Sequence, residues 1–396
     1  MKKNLKFMLG VLLLSSACGS SAHAKVDTQN LTPLEVALVA PLSGDSAEIG
    51  NSLRFAATLA LINSRKDFEK LGFDLKLTTY DDKGTPQTAS EQGVAILSNP
   101  ATLVVVGSYA SDTTLALAKS FMGASLGLVS PTASSKALTD GGLPGFVRVV
   151  ARSDELGRAA GQYIQKALKS KRVLLLDDKS ADGLDVSQNV AAYLKAAKIP
   201  IVGQKSTLEK VNFTALVAEI VALKPDFIFV GFSSVQSSAL LLGKLRRSGV
   251  NTPMMGTSVL AEPQFRALAG SDTKGVFYAS YVAPVEAYAS ALIPQFNKQF
   301  QQVMQAKPSS YSVLGYDAMT VALEALRASI KSAGGKTPTR GQVLKALRGV
   351  KMVNALSGSL SFNKYGDLEQ TNVYVLKIGN DFKPKLVSIL PAVPGR

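Results

Sequence analysis

The 396-residue sequence has no tryptophan, one cysteine and one histidine. Cys18 and His23 both fall in the N-terminal leader, so a chain cut after Ala24 carries neither. That excludes from the remainder a disulfide, a cysteine nucleophile, a histidine-based triad and a His/Cys zinc site. Long apolar runs are missing too. Beyond the leader, none approaches the ~20 residues that cross a bilayer. Neither phosphate-loop pattern, GxxxxGK[ST] or GxGxxG, occurs. S-x-x-K occurs at Ser271/Lys274 and Ser361/Lys364, in neither case behind a buried strand that would aim it into a cleft. No catalytic residue is assigned, and neither a metal nor another cofactor is expected.

The leader reads as an export signal. MKKNLK is basic, FMLGVLLL is apolar, and SSACGSSAHA is rich in small residues. Two cleavage readings stand. A signal over residues 1–24 ends at AHA, whereas a lipoprotein signal over 1–17 would leave Cys18 lipidated. Either one places the protein outside the cytoplasm, in a periplasm or on the outer face of the cytoplasmic membrane.

The net charge is +15, and removal of residues 1–24 takes away three lysines and no acid, leaving +12. A basic surface raises the question of nucleic acid. The basic residues are scattered, as in KSKR (169–172) and KLRR (244–247), without interleaved aromatics. No nucleic-acid partner is expected.

Apolar runs alternate with helical patterns. LEVALVA (34–40), TLVVVG (102–107), RVLLLDD (172–178) and PDFIFVGF (225–232) read as buried strands. Between them, helices are predicted over Ala47–Asn63, Pro86–Leu97, Thr113–Phe121, Asp182–Ala197 and Val235–Ser248, and Ser153 is expected to cap another. Unbroken apolar strands separated by single helices mean parallel sheets covered on both faces. The series restarts near FVRVV (146–150), so the fold class is α/β with two doubly wound parallel-sheet lobes. The C-terminal third differs, with helices near 286–304 and 311–331, a third after SAGGKTPTR, then short strands.

In such sheets ligands sit beyond the carboxyl ends of the strands. Those ends are rich in hydroxyls, above all VGSYASDTT (106–114) and LVSPTASS (128–135). The unpaired N–H groups that open a helix receive a carboxylate, and Ser111 can add a hydroxyl. For each serine alone, a cap for Ser111 or a turn for Ser134 is the better explanation. Two hydroxyl clusters after adjacent strands, with Tyr109 in the first, point to a pocket.

With these motifs in order, the chain resembles the leucine/isoleucine/valine-binding type of periplasmic solute-binding protein. VALVAPLSGDSAEIG, YDDKGTPQTA, VVVGSYASDTT, LVSPTASS, VRVVARSDELG, LDDKSADG, PDFIFVGF, PMMGTS, YDAM and GSLSFNKYGD follow one another across residues 34–390. The resemblance implies a type I periplasmic binding protein fold, in which three crossover strands join the lobes and the lobes close on a ligand. Lobe one would be 33–151 plus 281–358, and lobe two 152–280 plus 359–390. It implies an extracytoplasmic subunit that captures a small-molecule ligand for an ABC importer's inner-membrane permease, acts as a monomer and performs no chemistry. A sensor subunit feeding a signalling receptor is the alternative.

In amino-acid-binding members, lobe one holds the ligand's carboxylate and amino group at positions matching Ser111, Thr132 and Ser134, with Ile49 beside the ligand side chain. Lobe two departs from the pattern. The usual aromatic falls at Asp182, the usual tyrosine at Ser233, and the usual ammonium-pairing glutamate at Ser258. Branched-chain and other amino acids, small amides and carboxylates without an ammonium all stay open.

Overall fold

The computed structural model describes residues 31–392, so Cys18 and both cleavage readings lie outside the described residues. The chain begins β1 (Thr32–Ala40), α1 (Ala47–Lys70), β2 (Phe73–Asp81), α2 (Pro86–Leu97), β3 (Thr102–Val106), α3 (Ser111–Ser120), β4 (Gly127–Ser130), α4 (Ala137–Asp140) and β5 (Phe146–Arg148). The five strands form one parallel sheet in the order β2-β1-β3-β4-β5. It continues with α5 (Ser153–Tyr163), β6 (Val173–Asp177), α6 (Ala181–Ala196), β7 (Ile201–Ser206), α7 (Thr214–Leu223), β8 (Phe227–Gly231), α8 (Val235–Arg247), β9 (Met254–Gly256), α9 (Pro263–Ala269) and β10 (Phe277–Ser280). Helices α10 (Ile293–Met304), α11 (Ser310–Ser332) and α12 (Arg340–Leu347) follow, then β11 (Lys351–Met352), β12 (Leu360–Ser361), β13 (Thr371–Ile378) and β14 (Pro384–Ala392). The second sheet runs β14-β13-β10-β9-β8-β6-β7, with β13 and β14 antiparallel at one edge.

Period-two patterning explains how each sheet is covered. Leu34, Val36 and Leu38 join the apolar cluster of α1 and α11, including Leu53, Leu314 and Leu326. Ala37 and Val39, pointing the other way, join Ala89, Ile96 and Leu117 of α2 and α3. In the second sheet Leu174 and Leu176 face Leu241 and Phe265 of α8 and α9. Val173 and Leu175 face Leu156 and Val190 of α5 and α6. Strands buried on both faces cannot show polar alternation, which is why they read as continuous apolar runs.

Three local expectations are corrected. Helix α3 starts at Ser111, two residues before the predicted start at Thr113. Ser153 is the first helical residue of α5 rather than its cap; Glu155 accepts from the Arg152 backbone N–H at 3.2 Å, and the Ser153 hydroxyl instead donates to Asp185. Helix α10 begins only at Ile293, after a short 3-10 turn at Val285–Ala287. Its Phe296 and Phe300 pack with Phe265 and Tyr278, and with Ala56 and Leu59 of α1, so it bridges the two bodies.

The chain crosses between the sheets three times: after β5, after β10 and after β12. A buried ion-pair network ties the first crossing to the third. Arg148 Nε donates to Asp367 Oδ1 at 2.9 Å, and Arg152 Nη1 approaches Asp367 Oδ2 at 3.3 Å. Both Arg148 and Asp367 are essentially inaccessible to solvent. The Arg148 guanidinium also donates to the carbonyls of Ala133 and Ser135 and to the Thr139 hydroxyl. Every face of that charge is therefore answered within the protein.

Candidate functional site

Both parallel sheets point their carboxyl ends at a shared cleft. Helix α3 opens there because β3 can turn sharply at Gly107, whose φ is +142° and where a Cβ would sit 2.2 Å from the Val39 carbonyl oxygen. Helix α6 opens opposite. Its Gly183 lies so close to β8 that a Cβ would fall 2.2 Å from the Gly231 carbonyl oxygen, and Ser180 caps the helix by accepting from Gly183 N–H at 3.1 Å.

A cavity of ≈110 Å³ lies between these helix starts. Six of the sequence-predicted residues line it: Tyr109, Thr132 and Ser134 from the first sheet's side, and Asp182, Ser233 and Ser258 from the second's. Leu156, Val186, Phe232 and Val259 supply its apolar wall. Ser111 is not on the wall itself. Its hydroxyl donates across the cleft to Asp182 Oδ1 at 3.0 Å and accepts from the Ser135 backbone N–H at 3.1 Å. Ile49 lies elsewhere, 8% exposed in the apolar cluster of α1 and α11.

Most of the hydroxyls in VGSYASDTT serve the local frame. Ser108 donates to the buried Asp82 carboxylate and lies 2.9 Å from Thr113 Oγ1. The Thr113 and Thr114 hydroxyls both donate to the Ala110 carbonyl, at 2.9 and 2.8 Å. Thr132 donates to the Tyr109 carbonyl at 2.7 Å. Ser233 is turned away as well, giving its N–H and its hydroxyl to Asp178 Oδ2, each at 2.7 Å. Of the first cluster, only the Ser111 hydroxyl reaches across the cleft.

Three side chains in or beside the cleft escaped the sequence reading. Tyr281, just after β10 on the second crossing, lies between the walls and lines the cavity together with Ser258 and Ser134. Tyr311 of α11 donates to Glu262 Oε1 at 2.5 Å, which joins the two bodies a second time. Its ring meets that of Tyr109 edge-on at 5.9 Å. The only signals in the sequence were a tyrosine directly after a short strand and an acid directly before Pro263.

The electrostatics of the cleft are one-sided. Burial lifts the Asp182 carboxyl to about 6; the Ser111 hydrogen bond opposes the shift and Asp112 adds to it. Burial likewise lifts Glu262 to about 7, against the hydrogen bond from Tyr311. No Lys, Arg or His lines the cavity. A third contact between the walls runs from Lys136 Nζ to Asp185 Oδ1 at 2.6 Å. Together these contacts hold the walls against each other.

A larger cavity of ≈580 Å³ lies among the crossings, lined by Val149, Tyr288, Ser357 and Thr371. It holds none of the predicted residues and meets strand ends only at Val149 and Tyr281, most of its lining coming from residues 357–361, 368–374 and 391–392, so the smaller cavity is the candidate site. Among the described residues, no group of three or more His, Cys, Asp or Glu is placed to hold a metal ion. No helix among them is long and apolar enough to cross a membrane.

Known proteins share this arrangement. A family model described as periplasmic binding protein matches residues 33–383. The Leu/Ile/Val-binding protein BraC3 of Rhizobium johnstonii is 25% identical over 374 residues, covering 94% of this chain and 97% of that one. The leucine-, isoleucine-, valine-, threonine- and alanine-binding protein of Pseudomonas aeruginosa is 25% identical, covering 88% and 90%. Among solved structures, a leucine-binding protein from Thermotoga maritima superposes with a TM-score of 0.79 at 19% identity, covering 90% of this chain and 98% of its own. A solute-binding protein from R. palustris in complex with benzoate gives 0.76 at 22%, covering 92% and 98%. At such identities the two structures speak to the fold alone: a type I periplasmic binding protein, with two α/β lobes and three crossings. The chain belongs to the periplasmic binding protein family.

Proposed function

We propose that this protein is an exported solute-binding protein of an ABC importer, which captures one small polar ligand between its lobes and presents it to an inner-membrane permease. One observation carries the reading. Residues far apart in sequence, from Tyr109 to Ser258, line a single cavity at the facing carboxyl ends of two parallel sheets. A ligand touching both walls stabilises the closed arrangement, which is how binding becomes a signal to a partner. Lobe one takes residues 33–151 and 281–358, and lobe two takes 152–280 and 359–390, with α10 lying across both.

Ser134, Ser258 and Tyr281 face the ligand, Asp182 supplies the charge, and Ser111 fastens Asp182. The amino-acid ligands named for the relatives favour a small ligand with a polar head and an apolar body, which suits a cavity with four apolar side chains on its wall. The protein performs no chemistry and acts as a monomer. It works in the periplasm or on the outer face of the cytoplasmic membrane, in the latter case through Cys18.

The test is thermal unfolding of the protein lacking residues 1–24 against amino acids, small amides, amines and carboxylates. Ligand at about 100 times its Kd adds roughly 2.7 kcal/mol. At least one compound should raise the melting temperature, and Ser111→Ala combined with Ser134→Ala should remove that rise while leaving the ligand-free transition cooperative. A double variant that keeps full affinity would overturn the site.

A further inference from the structure

The place that a ligand carboxylate would occupy already has a carboxylate of the protein beside it. Helix α3 opens at the cleft with Ser111 in its first turn, a place suited to an anion. Asp182 reaches over from the opposite wall to this helix start and accepts the Ser111 hydroxyl at 3.0 Å. The same carboxylate lies in the first turn of α6, where the helix dipole favours it again.

Hydrogen-bond accounting of the wall leaves one charge unanswered. The hydroxyl hydrogens of Ser111, Thr132, Thr257 and Ser233 are all given to protein acceptors. What remains to a ligand is Asp182 Oδ2, which has no hydrogen-bond partner among the described residues, and the hydroxyls of Ser134, Ser258 and Tyr281, each able to donate or to accept.

Cations are absent from this wall, and those nearby are committed. Arg148 and Arg152 pair with Asp367, and Lys136 pairs with Asp185. A ligand carboxylate entering beside Asp182 would meet a like charge and no counter-charge. A ligand cation would find a carboxylate already held in place by Ser111.

We propose that the cleft selects a small organic cation, a primary ammonium on a short branched apolar body without a carboxylate of its own, and that Asp182 is the residue that sets this specificity. The inference rests on the solute-binding reading above and narrows it. The ammonium bonds Asp182 Oδ2 and the hydroxyls of Ser134 and Ser258. The apolar body lies against Leu156, Val186, Phe232 and Val259. A volume of ≈110 Å³ suits a body of about four or five heavy atoms, given that roughly 150 Å³ accommodates the six of benzene.

Four probes sharing one branched body separate the cases: isoamylamine, isovaleramide, isovalerate and leucine, each titrated calorimetrically into the protein lacking residues 1–24. Isoamylamine should bind at least tenfold tighter than any of the other three. Asp182→Asn should weaken the amine at least tenfold, and Asp182→Ser should do the same while admitting leucine or isovalerate. Melting curves of both variants without ligand confirm that they fold. Isovalerate or leucine binding the unmodified protein as tightly as the amine would overturn the proposal and leave the solute-binding reading intact. Amine binding indifferent to both substitutions would overturn it too. If neither these four probes nor the wider panel bind, both readings fall together.

Discussion

The hinge and the cleft both bury carboxylates, and they treat them in opposite ways. Asp367 sits at the crossings with two guanidinium groups within 3.3 Å. Asp182 and Glu262 line or border the cleft with only hydroxyl partners, from Ser111 and Tyr311. A charge neutralised inside the chain holds the frame and needs nothing from solution. A charge left with a hydroxyl is held in place but not neutralised, and its cost is relieved by a proton or by a ligand. Asp367 is neutralised where the chain crosses between the lobes, whereas Asp182 and Glu262 are left without a cation at the cleft.

The largest effect should come from breaking the hinge side of this contrast. Asp367→Ala leaves Arg148 buried without its partner, and removal of one member of such a pair costs about 3–5 kcal/mol. Urea unfolding at pH 7 should show that loss. A loss under about 1 kcal/mol would mean that the carbonyls of Ala133 and Ser135 suffice for Arg148.

A smaller effect of opposite sign is expected in the cleft. The folded-state value of Glu262 is raised from 4.5 to about 7, so the folded protein holds its proton more tightly than the unfolded chain does. Stability from this group is therefore full below pH 4.5 and lost as the pH rises to about 7. Glu262→Gln keeps an acceptor for Tyr311 and removes the titration. It should raise stability at pH 8 by on the order of 1–3 kcal/mol and make the pH profile less steep between about 4.5 and 7, where Glu155, Asp182 and Asp317 go on titrating. An unchanged slope over that window would show that Glu262 is not the uncompensated group.

Much of the fold was legible because its main signals are local. Val104–Val106, Leu174–Leu176 and Phe227–Val230 are short apolar runs bounded by turn signals, the first and last rich in β-branched or aromatic residues, the pattern of strands buried on two faces, and Pro86 marks the first residue of α2. The missed elements are short ones. β10 is FYAS, four residues whose partners β9 and β13 lie at distant points in the chain, and α4 is a single turn. The site was legible as far as strand ends reveal it, which gave Tyr109, Thr132, Ser134, Asp182, Ser233 and Ser258. Tyr281, Glu262 and Tyr311 reach the cleft from a crossing, a loop and a helix of the returning segment. Only the tertiary fold brings those together. The hydroxyl cluster misled in one respect: Ser108, Thr113 and Thr114 build the turn into α3, a demand as local as it is invisible to composition.

The most direct test of ligand capture between two lobes is a distance across the cleft. The lack of cysteine after residue 24 makes introduced labels unique. Gln87→Cys, in the first turn of α2, and Glu209→Cys, just after β7, place exposed spin labels beyond the carboxyl ends of the two opposite edge strands. Pulsed electron–electron resonance, with and without the compound that most raises the melting temperature, would read their separation. The account predicts a broad distribution that narrows to its short end on binding. An identical distribution at saturating ligand would contradict it.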